Sequence, residues 1–386
     1  MKVALVHDWL TGMRGGEKVL EILCQLFPEA TLFTLLHRPG SVSSVIEKMP
    51  IKTSFIQKFP FSQKIYPKYL LFFPTAIEQF DLNEFDLVIS SSHCVAKGVI
   101  TPPETCHISY CLSPMRYAWE MYHSYFFNNH SGILNKTLIP FFMNYLRIWD
   151  ERSSQRVDYF VAISNYIKNR IEKHYRRSSE VIYPPVNTDF FRLSNKSEDY
   201  FLVVSALVPY KRIDLAISTF NVLKYPLVII GEGPEENNLK KMAARNIIFL
   251  PWQSPEKLKE YYSNCQALIF PGEEDFGIVL VEAQACGKPV IAYAKGGAKE
   301  TVEGILVGEE PQRLPKSTGQ KLSGLFFYPQ TKEALIEAVK SFQKMEFEPT
   351  FIRKNSLKFD QKLFKEKINK YVSEKFREHQ KNFSCR

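Results

Sequence analysis

The sequence predicts an α/β protein built from two successive doubly wound parallel sheets, and three observations predict it. Short apolar, β-branched runs alternate with longer helical patterns, which is the signature of βα units. The alternation occurs in two series, separated by the proline- and turn-rich segment VIYPPVNTDFF at residues 181–191. The length, 386 residues, exceeds what one core usually supports, so two domains are the default.

Each element follows in order. Strands are predicted at residues 3–6, 30–35, 87–90, 107–111 and 159–163, with helical patterns between them. After the break, a second series is predicted at 200–204, 226–230, 247–250, 267–270 and 290–292. From residue 346 onward the chain is charged and helical in pattern, and no strand is predicted. The expected division is therefore 1–184, 185–350 and a helical tail at 351–386.

Composition narrows the function classes. Hydrophobic residues make up 45% and charged residues 24%, as in an ordinary globular protein. The net charge of +9 is spread along the chain rather than gathered in a tract, and no nucleic-acid-binding motif is present. Nucleic acid is therefore excluded as a partner, and anionic ligands or an anionic membrane face fit better. The seven cysteines (Cys24, Cys94, Cys106, Cys111, Cys265, Cys286, Cys385) are irregularly spaced and form no CxxC pair. That spacing indicates neither a zinc site nor a disulfide framework. The chain starts directly on a strand pattern without a signal peptide, and no apolar run reaches the roughly 18 residues of a membrane span. A reducing, cytosolic compartment is expected.

The most informative stretch is IFPGEEDFGIVLVEAQACGKPVIAYAKGGAKET, residues 269–301. A buried strand breaks at Pro271-Gly272, an acidic loop follows, and a helix opens at Phe276-Gly277. Glu274 then sits at a strand's carboxyl end and Glu282 lies two turns into the helix. Ligands of open parallel sheets bind at that edge. A nucleotide sugar suits it, with diphosphate at the helix start and hydroxyl-rich rings for the carboxylates to hold. Two glutamates eight positions apart are otherwise an acidic loop and a surface helix residue. The strand, turn and Phe276-Gly277 around them decide between the two readings.

With these residues in view, the chain resembles the family 4 glycosyltransferases of the GT-B fold. The resemblance runs over nearly the whole length. It is carried by EDFGIVLVEAQACGKPVIA, HDWLTGMRGGEKVLE, SSSHCVAKGV, SPMRYAWE, VAISNYI, ALVPYKRIDLAI and IIGEGPE. It implies two Rossmann-like domains facing across a cleft, an acceptor-binding first domain, a nucleotide-sugar-binding second domain and a C-terminal helix crossing back to the first. It also implies site residues. Glu282 accepts from ribose hydroxyls and Glu274 contacts the donor sugar. Lys211, seconded by Arg212, neutralises the leaving diphosphate. Backbone N–H groups of Phe276, Gly277 and Ile278, and the loop at Gly15 and Gly16 with Arg14 beside it, approach the phosphates. Gly231 and Trp252 border the nucleotide pocket. His93 is the sugar-contacting histidine of a strand-end loop, and His7, Arg116 and Trp119 are acceptor-side candidates. Two positions depart from the pattern. Ala206 stands where an arginine usually assists the lysine, and Leu112 where YCHTPMRYAW-type sequences have histidine.

The resemblance implies a retaining hexosyltransferase acting with a GDP- or UDP-linked sugar as donor. The acceptor class is a glycan or polyprenyl-diphosphate-linked oligosaccharide of surface-polysaccharide synthesis, and mannose is the sugar most often moved. No DxD-type pair falls near the site, so neither a metal nor a cofactor is expected. A sugar phosphorylase, a nucleotide-sugar epimerase and a non-catalytic nucleotide-sugar-binding subunit are the rival readings. Two aromatic, basic stretches, residues 61–80 and 133–149, suit either helices lying at an anionic membrane or core helices with one basic edge.

Overall fold

The computed structural model describes residues 1–126, 133–194, 196–307 and 321–384. The chain divides into two compact units, Met1–Pro185 with Lys362–Arg386, and Val186–Gln361.

The first unit holds β1 (Val3–His7), β2 (Thr31–Thr34), β3 (Ile51–Thr53), β4 (Leu87–Ser92), β5 (Cys106–Cys111), β6 (Tyr159–Ala162) and β7 (Ser179–Val181). They form one sheet in the order β3-β2-β1-β4-β5-β6-β7, with every pairing parallel. All residues of β1, β4 and β5 are buried, as expected of strands covered on both faces. The strand order reverses between β1 and β4, so the loops leaving those two strands part in opposite directions. That reversal opens a crevice at the carboxyl edge.

The second unit holds β8 (Phe201–Val204), β9 (Leu227–Ile230), β10 (Ile247–Leu250), β11 (Leu268–Phe270), β12 (Val290–Tyr293), β13 (Gly304–Val307) and β14 (Gly324–Phe327). Its order is β10-β9-β8-β11-β12-β14-β13, again wholly parallel. The corresponding reversal lies between β8 and β11.

All ten predicted strands are present, and four others were not predicted. β3 and β7 are three-residue edge strands, IKT and SEV, with too few apolar residues to stand out. β13 is the outer strand of its sheet, and β14 opens on Gly324, where a Cβ would collide with the Val290 carbonyl of the neighbouring strand.

The C-terminal helix Gln361–Ser384 buries Phe364, Ile368, Tyr371 and Val372, a stripe at helical spacing. Phe364 meets Tyr110 edge-on at 5.7 Å, and Tyr371 Oη donates to the Phe160 carbonyl at 3.4 Å. These contacts seat the helix on the first sheet. Where the chain enters and leaves the second unit, the two segments run side by side. Val186 N donates to Phe359 O and Gln361 N to Val186 O, each at 3.0 Å.

The six cysteines among the described residues are buried and unpaired with one another, and Cys385 lies outside the described residues. No helix of the described residues is long and apolar enough to cross a membrane.

Candidate functional site

In the second unit the reversal point gathers the predicted residues from three loops. Lys211 ends the single turn Pro209–Lys211 that follows β8, and its ammonium pairs with the Glu274 carboxylate from the loop after β11. The approach depends on Gly272. A Cβ there would fall 2.8 Å from the Lys211 carbonyl oxygen, closer than side-chain carbons tolerate. The acidic loop is held in turn by the loop after β12. Gly297 N donates to Glu274 O at 2.8 Å, and Lys295 Nζ lies 2.9 Å from Glu273.

Gly277 adopts φ 86°, a left-handed conformation suited to glycine, and so turns the chain into the helix Ile278–Ala285. Phe276 is buried against Phe359 with ring centroids 5.4 Å apart. Glu282, on the buried side of that helix, is only 2% exposed. Tyr262 Oη donates to its Oε2 at 3.0 Å. Burial and the adjacent Glu282 charge push the tyrosine hydroxyl well above its usual range, so it stays protonated and donates.

Arg212 points elsewhere. It is held in the left-handed region at φ 54°, lies 3.2 Å from Asp214 Oδ1, and donates to Gln330 Oε1 at 3.1 Å. Gln330 Nε2 donates on to Pro271 O at 2.8 Å. Arg212 thus ties the loops after β8, β11 and β14 together. Gly231 packs its Cα directly against the Ser205 carbonyl, which brings the loop after β9 to the same edge. Trp252 is exposed, its backbone N–H 3.3 Å from Glu232 Oε1. Ala206 is exposed on the loop after β8.

In the first unit, β1 delivers His7 and Asp8 to the reversal point and β4 delivers His93. His7 is fully buried beneath Gly16, with Nε2 3.9 Å from Glu17 Oε1. Glu17 Oε2 accepts from Arg14 N at 3.0 Å, which fixes the turn where the helix Gly15–Leu26 begins. Burial pushes the Glu17 carboxyl up, but the nearby His7 outweighs it and holds it low. Leu112 lies directly under Gly16, where a Cβ would fall 2.8 Å from its Cδ1. The departure at Leu112 therefore floors the glycine loop with an apolar side chain.

Trp119 is half-buried. It donates through Nε1 to Asp150 Oδ2 at 2.8 Å and stacks on His174 at 4.4 Å. Asp150 also takes Lys97 Nζ at 2.6 Å and Tyr175 Oη at 2.9 Å, which makes a buried polar hub. Arg116 is partly buried in the turn before Trp119, and Met121 N donates to its carbonyl at 3.0 Å.

One further group of candidate ligands exists among the described residues: Cys106, Asp158 and His379, with ligand atoms within 4.8 Å of one another. It lies at the amino ends of β5 and β6, the opposite edge from His93. Burial pushes the Cys106 thiol up to about 12, and Asp158 Oδ2 already accepts from His107 N at 2.7 Å.

Two sequence models match the chain. "Glycosyltransferase Family 4" matches residues 14–190 and "Glycosyl transferases group 1" matches residues 187–359. The chain belongs to these glycosyltransferase families. It is 30% identical over 197 residues to an uncharacterized glycosyltransferase of Methanocaldococcus jannaschii, covering 48% of this chain and 55% of that one. It is 34% identical over 159 residues to the O-antigen chain mannosyltransferase RfbU of Salmonella typhimurium, covering 38% and 45%. The chain spans about half the length of the curated relatives it matches.

Among solved structures, Anabaena HepE in complex with UDP superposes with a TM-score of 0.64 at 15% identity, covering 97% of this chain and 100% of HepE. The outer core galactosyltransferase WaaB superposes with 0.63 at 17%, covering 97% and 100%. These likenesses place the fold among GT-B glycosyltransferases.

Seen within this family, the residues that sequence reasoning missed are Tyr262, Gln330, Asp8 and Asp150. Each lies 20 or more positions from its partner. Only Asp8, inside HDWLTGMRGGEKVLE, falls within a quoted motif.

Proposed function

We propose that the chain is a retaining, metal-independent glycosyltransferase. It moves a hexosyl group, with mannosyl the leading candidate, from a GDP- or UDP-linked donor. The acceptor is a glycan or polyprenyl-diphosphate-linked oligosaccharide in surface-polysaccharide synthesis. The observation that carries this reading is Lys211 set against Glu274 at the second sheet's reversal point, with Glu282 on the adjoining helix. A lysine is a compact charge for a diphosphate, and carboxylates accept the paired hydroxyls of sugars.

The chemistry follows from these groups. The bond from the sugar's anomeric carbon to the diphosphate oxygen breaks, and the electron pair leaves with the phosphate. Lys211 and the amides of Phe276, Gly277 and Ile278 stabilise that growing charge. The acceptor oxygen bonds to the anomeric carbon on the same face. Its proton passes to the departing phosphate oxygen, so no separate protein base is required. Glu274 is the group placed to hold the sugar's hydroxyls during the exchange. The UDP found with HepE and the mannosyl activity named for RfbU support a nucleotide sugar and a surface glycan as substrates.

Peripheral contact with an anionic membrane belongs to the same reading. On the helix Ile133–Ser154, Leu138, Phe141, Tyr145 and Ile148 form an exposed stripe at helical spacing, opposite the buried Met143, Leu146 and Trp149. Residues 62–78 instead break into three short helical segments, so only Phe61 and Phe72 stand out there.

A thermal-shift panel of nucleotides and nucleotide sugars tests the donor site. A ligand at 100 times its Kd stabilises by about 2.7 kcal/mol. Transfer of labelled sugar from the stabilising donor to lipid-linked acceptor, assayed with and without EDTA, tests the reaction. A shift by free phosphate and sugar phosphate alone would point to a phosphorylase and sink the proposal.

A further inference from the structure

At the first sheet's reversal point a single carboxylate anchors an entire loop. Asp8 Oδ2 accepts from His93 N at 2.7 Å and Cys94 N at 3.0 Å. Asp8 Oδ1 accepts from Val95 N at 2.7 Å and Ala96 N at 2.8 Å. Both oxygens are thereby committed to the start of the loop that follows β4. The same Oδ2 lies 3.0 Å from Nδ1 of the His93 ring. Asp8 is inaccessible to solvent, whereas the His93 side chain is 29% exposed. The exposed part of the ring is therefore the part turned away from Asp8.

The protonation of the pair follows. Burial pushes the Asp8 carboxyl up, but the charge and hydrogen bond of His93, aided by His7, outweigh it and hold it well below the usual carboxylate range. An ionised carboxylate only accepts, so its charge 3.0 Å from Nδ1 favours the tautomer of His93 with hydrogen on that nitrogen. Trp9 meets the ring edge-on at 4.5 Å and blocks rotation on one side. Downstream, the loop is pinned again. Lys97 Nζ is fixed to Asp150, and Gly98 O accepts from Arg156 Nη1 at 2.9 Å. The titratable groups facing the ring are Asp8 and His7 at the end of β1, with Glu17 behind His7.

We propose that Asp8 is a positioning residue: it holds His93 with hydrogen on Nδ1 and presents Nε2 outward as an acceptor for a sugar hydroxyl. This rests on the transferase reading above. The four N–H groups already anchor the loop, and the ring lies against the same carboxylate in addition. The ring contact converts a structural anchor into control over which imidazole nitrogen meets the substrate.

Long-range 1H–15N spectra of the full-length protein, assigned with His93→Gln, read the tautomer directly. The expected result is hydrogen on Nδ1 of neutral His93, and hydrogen on Nε2 overturns the proposal. Asp8→Asn removes the acceptor that fixes the ring, so the imidazole is no longer held in one tautomer. Sugar transfer falls about 10- to 100-fold in kcat, with donor KM little changed. Because Asp8 acts through His93, adding Asp8→Asn to His93→Gln costs no further kcat. Full activity in His93→Gln, or losses that multiply in the double variant, overturns the proposal. If Asp8→Asn does not fold, the wild-type tautomer and the His93→Gln turnover still decide. Failure of the transferase reading shows separately, as absence of nucleotide-sugar binding in protein with the expected tautomer.

Discussion

The hydroxyl of Tyr262 donates to Glu282 at 3.0 Å between two buried side chains, so the carboxylate we propose for the donor's ribose is oriented before any ligand arrives. Tyr262→Phe removes that donor while keeping the ring. Affinity for the stabilising nucleotide falls about 10-fold or more, since a hydrogen bond to a charged group contributes about 1.5–3 kcal/mol. Isothermal titration with GDP, UDP and their sugars measures it. An unchanged Kd means Glu282 needs no such support.

Lys211 and Glu274 are each partly accessible and paired in the ligand-free site. Lys211→Ala leaves the fold intact and lowers kcat by about 100-fold or more, because the leaving diphosphate loses its cation. Glu274→Gln weakens both partners' placement and is expected to raise donor KM as well. Steady-state kinetics with the identified donor separate the two, and wild-type turnover in Lys211→Ala refutes the assignment.

Acid stability is set in part by His107, buried with Nε2 2.9 Å from Ser90 Oγ. Burial pushes its imidazole down to about 3. The unfolded chain therefore takes the proton first. His107's contribution is complete above about pH 6.5 and is lost as pH falls toward 3, at up to about 1.4 kcal/mol per unit. Glu120, held to about 2 where His174 and Arg170 overcome its burial, adds its loss only below about pH 4. Urea unfolding from pH 7.5 to 4 should show a shallower decline in His107→Gln than in wild type. Parallel declines would exclude the histidine.

Gly297 tests the loop packing beneath the paired acids. A Cβ there would collide with the backbone of Asp275 and Phe276, whereas at Gly12 nothing lies within 4 Å. Gly297→Ala should cost about 1–3 kcal/mol and impair donor binding, with Gly12→Ala as an inert control. Thermal melts with and without nucleotide sugar compare the two.

The stripe on the helix Ile133–Ser154 predicts vesicle binding. Phe141→Ser with Ile148→Ser should reduce co-sedimentation with anionic vesicles several-fold and leave transfer to a soluble acceptor analogue unchanged. Equal sedimentation of wild type and variant removes this face from membrane contact.

What the sequence disclosed depended on distance along the chain. Glu274, Phe276, Gly277 and Glu282 were legible because strand, turn and helix follow one another within a few residues. Most of the predicted strands were legible because two-sided burial demands unbroken apolar runs, and the edge strand β10 because its run IIFL is apolar although only Ile247 is buried. β3 and β7 were not, since IKT and SEV hold too few apolar residues to form such a run. His7 sits at a strand's carboxyl end as expected, but Gly16, Leu112 and Glu17 enclose it, and only folding reveals that enclosure. Arg212 carries its partner Asp214 two positions away, a pairing the motif hid. The Asp8–His93 and Tyr262–Glu282 contacts span 85 and 20 positions, and no local pattern encodes them.

Val186 and Gln361, hydrogen-bonded neighbours at the entry and exit of the second unit, give that unit termini that already touch. The ends of residues 186–361 could thus be joined without stretching any strand. The remaining half has no such independence. Its sheet is covered by the helix Gln361–Ser384, so trimming that helix would uncover Tyr110 and Phe160.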